Sequence, residues 1–587
     1  MCGINGIFNF CGICDDDIGS LRAMNASMLY RGPNDQDVWH DNNIGMAQVR
    51  LSIIGISNGK QPIWNEDKTL AIICNGEIYN YLELKEELAQ RDHVFSTDSD
   101  SEVVLHLFED FQENCLAKLR GMFAFAIYDT RKKRLFLARD ICGKKPLYYA
   151  QLPGKFVFSS EIIAIKNHIN CSFTVDWSVI KDYLKHSYSQ RMADTWIQQI
   201  KKLEPGQYAY IGSNGISFQR YWKKKNTYTH NLSYEKARQQ ALDILRESVK
   251  IRLRSDVPVA ILLSGGIDSS AIASLAGEVH DDIHCITVGY KGAPDCDERN
   301  LARKLTNEKK LIWHEVELDE NDFAAYFDEY MKYLDEPVCD LSSIAQWAIY
   351  KKAKKLGFTV LLSGNGGDEL FYGYPNHNKI GDYLDLEKNF LESTKKGPMF
   401  FLKFYLKHRK ELKALSELKE HHLNFYYSNY SQLCYDWGDT YSFDQDNWRA
   451  RFYDDEEHDI DKVYSYMFNI WLPNNCYYLS DKLGMGNSLE LRCPFADKEL
   501  IEYISSLPLE YKYHKNNPKG FLKDILRGIV PEYILNAPKR GFTPPNNAIA
   551  HIVKNYNSVF FNLQLTGYCQ VVVDKFLHMH KIKRVAI

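Results

Sequence analysis

The chain has 587 residues, 45% hydrophobic and 25% charged, with a formal net charge of −4. At roughly 100–200 residues per domain it is too long for one core, and its near-balanced charge excludes a protein built around a broad nucleic-acid or anionic-membrane surface. No apolar run approaches the ~20 residues that span a bilayer, no basic region precedes an apolar one at the N-terminus, and the 14 cysteines are scattered, which suits a reducing, cytoplasmic setting.

Met1-Cys2-Gly3-Ile4 opens the chain. Methionine is normally removed before a small residue, which would put a thiol and an α-amine on Cys2 together. The amine, near ~7.7–8.0, can act as a base close to neutral pH, and the thiol is intrinsically nucleophilic. Taken alone, a cysteine at this position is more often inert. Cys11-Gly12-Ile13-Cys14 has CxxC spacing, but no second CxxC or His pair answers it; coincidence is preferred to zinc or redox chemistry. The following stretch reads as strand-rich, with apolar or alternating runs at Thr69–Cys74, Phe123–Tyr128 and Arg134–Ala138 broken by Gly, Asn and Asp. Helices are expected over Asn80–Gln90 and Ser101–Glu109. Asn75-Gly76, between apolar runs, carries a strong type I′ hairpin signal that needs no catalytic meaning. Around Arg220–His230 the composition turns polar and aromatic. A domain boundary is placed there, dividing 2–215 from 230–587.

The pattern then changes. A helix over Tyr234–Arg254, a short buried strand Val259–Leu263, a helix Ser269–Val279 and a strand Ile283–Val288 alternate as in a parallel, doubly wound sheet. From Asp382 to about Asn469 the chain reads as mostly helical and rich in Tyr, Phe and Trp. Ser264-Gly265-Gly266-Ile267-Asp268-Ser269-Ser270 joins a strand to a helix. Converging backbone N–H groups and the helix dipole make such a loop a phosphate cradle; without a Gly-Lys-Ser/Thr ending it is not a Walker A loop. A plain Ser/Gly/Asp turn is the bland alternative. The motif echoes in Ser363-Gly364-Asn365-Gly366-Gly367-Asp368-Glu369, followed by Phe371-Tyr372-Gly373-Tyr374. In a parallel sheet both loops lie at the carboxyl ends of strands, where ligands bind, so that Asp268 and Asp368 could share Mg²⁺ with the phosphates.

Four segments follow Cys2 in order: Tyr30-Arg31-Gly32-Pro33, Arg50-Leu51-Ser52-Ile53, Asn75-Gly76-Glu77-Ile78-Tyr79-Asn80 and Ser99-Asp100-Ser101-Glu102. With them the first domain resembles the class II, N-terminal-nucleophile glutamine amidotransferases. Each segment alone has an ordinary structural reading; their joint order does not. The resemblance implies layered antiparallel sheets with helices and attack of Cys2 on the glutamine side-chain amide. It implies an oxyanion hole from Asn75 and the Gly76 N–H, Arg50 on the glutamine α-carboxylate, and Glu77 and Asp100 on its α-ammonium.

The loop at 264–270 resembles the PP-loop of ATP pyrophosphatases, which cleave ATP between its α- and β-phosphates. With Leu489-Glu490-Leu491-Arg492-Cys493-Pro494-Phe495 and Pro538-Lys539-Arg540-Gly541-Phe542, most of the chain resembles the asparagine synthetase family. This implies ATP at Leu262, Ser264, Gly265, Gly266, Asp268, Ser269, Ser270, Val288, Ser363 and Gly364, with Leu262 and Val288 flanking adenine. Tyr374 is expected near the reacting acid, and Lys539 as the fixed cation that stabilises charge while AMP leaves. The implied substrates are glutamine, ATP and a carboxylic acid, aspartate first among them, with Mg²⁺ and without nucleic-acid or membrane partners; a homodimer is compatible with this reading. Ammonia would pass between the two sites shielded from water.

Four positions depart from the family pattern: Tyr30 for the usual His, Asn365 for Glu, Lys482 for Arg, and Met485-Gly486 for Met-Ala. Asn365 matters most, because an amide can only hydrogen-bond where a carboxylate could take a proton. It keeps open a second acceptor, a uronic acid of a surface polysaccharide. A non-catalytic glutamine or nucleotide sensor is the reading from another class, opposed by the intact set Cys2, Arg50, Asn75 and Glu77.

Overall fold

The protein is seen in a computed structural model that describes residues 2–293, 297–375, 378, 389, 393, 395–400, 402–409, 458–514, 516–538, 544–545, 550, 552 and 565–582. In its first part, strands β1 (Cys2–Asn9), β2 (Asp35–His40), β3 (Ile44–Arg50), β4 (Ile63–Trp64), β5 (Leu70–Ile78), β6 (Gly121–Asp129), β7 (Arg134–Arg139), β8 (Tyr148–Leu152), β9 (Lys155–Ser159), β10 (Ile200–Lys202), β11 (Gln207–Gly212) and β12 (Gly215–Arg220) build two six-stranded sheets. One runs β10-β8-β9-β1-β3-β2 and the other β12-β11-β7-β6-β5-β4, each antiparallel throughout.

The sheets are buried on both faces, which is why β5 reads as an unbroken apolar run instead of an alternating one. Ala71 and Ile73 pack into the core between the sheets with Ile4, Met46, Ala124 and Phe158. Ile72 and Cys74 face outward onto the helices Tyr81–Ala89 and Glu102–Phe111 through Leu84, Val104 and Phe108. The other sheet turns Ile7, Ala47 and Val49 toward Leu21 and Met24 of the helix Asp15–Ser27. Helix, sheet, sheet and helix therefore stack as four layers, the expected architecture. Full burial of each such Ile or Leu contributes about 1.5–3 kcal/mol.

The second part starts with a helix at Tyr234–Arg252 and continues into a parallel sheet of β13 (Val259–Leu262), β14 (His284–Tyr290), β15 (Ile312–Leu318), β16 (Val360–Leu362) and β17 (Glu490–Arg492), ordered β15-β14-β13-β16-β17. The chain winds outward from β13 in one direction, then returns to lay β16 on its other side. The order reverses between β13 and β16, so a crevice opens at their carboxyl ends, the place where doubly wound sheets bind ligands. Most of the expected helical region 382–469 lies outside the described residues; its last described part is helical at Asp459–Tyr466. Among the described residues no helix is long and apolar enough to cross a membrane.

Candidate active sites

Strand register assembles the first site. Cys2 at the head of β1 pairs with Arg50 at the end of β3, and its backbone nitrogen donates to Asn75 Oδ1 at 3.1 Å. Asn75 and Gly76 lie inside β5, opposite Ala124 and Phe123 of β6. The hairpin reading of Asn75-Gly76 is thereby corrected: the strand continues through both residues, because flanking burial on two faces outweighs the local turn preference. Asn75 is wholly buried, yet its Nδ2 has no hydrogen-bond partner among the described residues. A buried amide donor left unpaired costs roughly 1–3 kcal/mol, and such a donor beside a thiol suits an oxyanion that forms only during reaction. Gly76 has a steric reason to be glycine, since a Cβ there would overlap the Met122 carbonyl and come within 2.6 Å of Phe123 Cα.

Arg50 is held by the loop that follows β3. Its Nη2 donates to the carbonyls of Ile54 at 3.2 Å and Gly55 at 2.7 Å. That loop packs on Ser99: a Cβ on Gly59 would lie 3.1 Å from Ser99 Cβ. Asp100 comes next, its Oδ2 accepting from the Ile78 N–H at 2.7 Å. Cys2 and Arg50 at strand ends are thus gathered beside Asn75 and Gly76 within β5, with Asp100 bonded to the last residue of that strand. Glu77 is drawn toward the second domain instead, with Oε2 3.3 Å from Arg492 Nη2.

Burial dominates the electrostatics here. It pushes the Cys2 thiol above its ordinary value, with the chain's terminal ammonium and Arg50 opposing, so the thiol needs a base. Burial also lifts Asp100 to about 6, against the Ile78 hydrogen bond. Glu77 is raised well above the carboxylate range by burial and by its neighbours Glu490 and Asp100.

The second site lies at the sheet's reversal. Ser264 and Ser269 brace the loop after β13, their hydroxyls 2.9 Å apart, and the Gly266 N–H donates to Ser264 Oγ at 3.2 Å. The helix Ile267–Ala276 starts at this point, and its first-turn N–H groups lack intrahelical partners. Ser270 is fully buried with no partner for its hydroxyl among the described residues. Gly265 lets the loop pass close to Leu301, whose Cβ would be 3.0 Å from an added methyl. The loop after β16 comes against it: a Cβ on Gly364 would lie 2.8 Å from Asp268 Cβ, and one on Gly367 would collide with Asp268 Oδ1. Ser363 closes the strand end through its N–H to the Arg492 carbonyl at 2.9 Å. Leu262, beside Ile286 in the ladder, and Val288 line the same edge.

Asp268 and Asp368 converge on Lys519, which contacts Asp268 Oδ2 and lies 2.8 Å from Asp368 Oδ1. Lys519 was not apparent from the sequence, since it sits in no recognisable motif and takes a left-handed φ of 58° just before the short helix Gly520–Ile525. Tyr374 donates to Glu369 beside Asp368 and stacks edge-on to Trp471, ring centroids 6.1 Å apart. Asn365 Nδ2 donates to Ser480 Oγ at 3.0 Å. Lys539 lies outside the described residues.

A buried ion cluster lies behind Cys2, and only the fold reveals it. Arg31, wholly buried, donates from Nε to the Cys2 carbonyl at 3.2 Å, from Nη1 to Glu161 at 2.5 Å and from Nη2 to Asp481 at 2.8 Å. Lys482 bonds Glu161 and, at 2.7 Å, Asp335 Oδ2. Tyr30, one of the departures, packs its ring on Tyr333 with centroids 5.0 Å apart.

Two family models match this chain. One, described as a glutamine amidotransferase domain, matches residues 1–222; the other, described as asparagine synthase, matches residues 240–562. The curated protein "Asparagine synthetase [glutamine-hydrolyzing] 1" of Bacillus subtilis (strain 168) is 34% identical over 576 residues, covering 94% of this chain and 88% of its own. The synthetase numbered 3 of that organism is 30% identical over 561 residues, 92% of this chain and 86% of its own. The one numbered 2 is 30% identical over 603 residues, 98% of this chain and 76% of its own.

Proposed function

The chain belongs to the asparagine synthetase family and is an ATP-dependent, glutamine-hydrolysing ligase; from that premise we propose that its acceptor is aspartate and its product asparagine. Residues 2–215 release ammonia from glutamine, and residues 230–587 activate the acid. With Met1 removed, the Cys2 amine takes the thiol proton, as the raised thiol requires. The sulfur attacks the glutamine side-chain carbon, and Asn75 Nδ2 with the Gly76 N–H receives the developing oxyanion. Collapse expels ammonia and leaves a glutamyl thioester, which water hydrolyses to glutamate. Arg50 holds the α-carboxylate and Asp100 the α-ammonium, which Glu77 can join only by turning from Arg492.

At the second site the loops 264–270 and 363–368 grip the nucleotide while the aspartate side-chain carboxylate attacks the α-phosphorus and pyrophosphate leaves. Ammonia, kept from water between the sites, adds to the acyl carbon and AMP departs, with Lys539 stabilising its charge and Tyr374 beside the acid. Lys519 adds a further fixed cation. Two carboxylates that already converge on one cationic group fit a magnesium ion held by Asp268 and Asp368. Bound there, magnesium screens the charge of the phosphates.

The observation that carries the reading is the unpaired, fully buried Asn75 amide beside Cys2. Cys2→Ala protein should lose glutamine-driven synthesis and keep synthesis from ammonium salts. Undiminished use of glutamine by this variant overturns the assignment of the nucleophile. The amide at Asn365, bonded to Ser480, keeps a second acceptor open, a uronic acid. AMP release measured across a panel of carboxylic acids decides between them: aspartate should lead, and a uronic acid in its place would refute the aspartate reading.

A further inference from the structure

Away from both sites, a second constellation sits on the outer face of the β4–β5 sheet. Glu66 lies between β4 and β5, His93 in the turn after the helix Tyr81–Ala89, and His106 and Glu109 three residues apart on the helix Glu102–Phe111, a spacing that puts both on one helix face. One ligand atom from each of the four lies within 4.8 Å of all the others. His93 Nδ1 is 3.5 Å from Glu66 Oε1 and 3.9 Å from Glu109 Oε2. His106 Nδ1 is 3.6 Å from Glu66 Oε2 and 3.8 Å from Glu109 Oε2. Nitrogen and oxygen donors bound at about 2.0–2.1 Å in a tetrahedron stand about 3.4 Å apart. The nitrogen–oxygen pairs named need to close by a few tenths of an ångström, and the widest pair of the set, within 4.8 Å, by roughly an ångström or more, which side-chain rotation of the two glutamates can supply.

Two independent observations point the same way. His106 is fully buried, and neither of its ring nitrogens, nor Glu109 Oε2, has a hydrogen-bond partner among the described residues. A buried imidazole with both nitrogens unsatisfied is costly unless something is meant to bind it. Both rings also turn Nδ1 inward, and His93 Nε2 is hydrogen-bonded outward to Asp110 at 3.1 Å. The outer carboxylate behind His93 fixes the tautomer that leaves its inner nitrogen able to ligate a metal.

We propose that Glu66, His93, His106 and Glu109 form a binding site for a divalent transition metal of the zinc type. Two imidazoles and two carboxylates suit such an ion better than a soft monovalent or a hard alkaline-earth one. Four protein ligands close the coordination sphere, so the role is structural. The ion ties the β4–β5 connection and the His93 turn to the helix that directly follows Asp100.

The test uses the full-length chain, stripped with a chelator and titrated with Zn²⁺ and, in parallel, with Co²⁺. The expected result is one Zn²⁺ per chain, a rise in Tm on binding, and the visible bands of tetrahedral Co²⁺ without thiolate charge-transfer bands. The exposed Cys11 and Cys14 are the competing zinc ligands, and a thiolate signature would assign the metal to them. His93→Ala, which also removes a ring packed on His106, should weaken Zn²⁺ by more than about 100-fold and abolish the rise in Tm on Zn²⁺ addition, whatever its metal-free Tm. Asp110→Asn, which alters only the carboxylate behind His93, should weaken it about 10–100-fold. No Zn²⁺ uptake, a thiolate or six-coordinate cobalt spectrum, or wild-type binding by His93→Ala each overturns the proposal.

Discussion

Replacing Asn75 with alanine removes two groups that act differently. The Oδ1 acceptor holds the Cys2 nitrogen at 3.1 Å, a hydrogen bond whose net worth is about 1 kcal/mol. The Nδ2 donor is buried without a partner, and burying it so costs the resting protein about 1–3 kcal/mol. The two contributions oppose each other, so the folding stability of Asn75→Ala should lie within about 1 kcal/mol of the parent, with Tm nearly unchanged. Catalysis has no such compensation. Loss of one oxyanion donor costs about 10²–10³ in kcat, or roughly 2.7–4 kcal/mol of transition-state stabilisation. Because the interaction arises only in the transition state, kcat and kcat/KM for glutamine should fall together while KM holds. Glutamate release and ammonium-driven AMP formation, measured on the same preparation, separate the sites. A fall of less than about threefold in glutaminase, or an equal fall in ammonium-driven synthesis, refutes the placement of the oxyanion hole.

Gly76→Ala should destabilise by about 1–3 kcal/mol or more, because the new methyl would strike the Met122 carbonyl across the ladder; a wild-type Tm would show that β6 yields freely. Asp100, lifted to about 6 by burial, must be ionised to receive an ammonium group, so kcat/KM for glutamine should decline as pH falls through 6, and Asp100→Asn should abolish that limb of the profile. The same shift lies above the ~3.9 of an unfolded aspartate, so this group's contribution to stability should diminish as pH rises from about 4 to 6. Lys519→Met should depress synthesis from both glutamine and ammonium by about 10²–10³-fold, the scale of a lost fixed donor, while glutamate release persists; retained synthesis would remove Lys519 from the nucleotide site.

What the sequence made legible was whatever depends on near neighbours. The run at 69–74 announced β5, and the strand–glycine–helix succession at 259–276 announced the phosphate loop, because period and composition act over a few residues. The helix boundaries came within a few positions, Tyr234–Arg252 being observed for an expected Tyr234–Arg254. Asn75-Gly76 shows the limit of that reasoning. Its turn preference is local, but its conformation is decided by β6 on one side and by helices and a facing sheet above and below. The helix carrying His106 and Glu109 was expected over Ser101–Glu109, yet nothing in the sequence brings Glu66 and His93 to it.

The buried charges behind Cys2 lie furthest from any sequence signal. Arg31 meets Asp481 across 450 positions and Glu161 across 130, so no spacing rule could have paired them. Their burial makes them costly unless each is matched: removing one partner of a buried pair typically costs about 3–5 kcal/mol. Arg31 is also the residue that donates to the Cys2 carbonyl. The group that fixes the head of β1 is thus the one bonded to the helix Tyr477–Gly486 of the second domain, whose Ser480 accepts from Asn365 in the nucleotide loop. Asn365 bonds Ser480, the next residue of that helix is Asp481, and Asp481 receives the Arg31 guanidinium that also bonds the Cys2 carbonyl. Lys482, bonded to Glu161 and Asp335, supplies the cation that lets these buried carboxylates remain together.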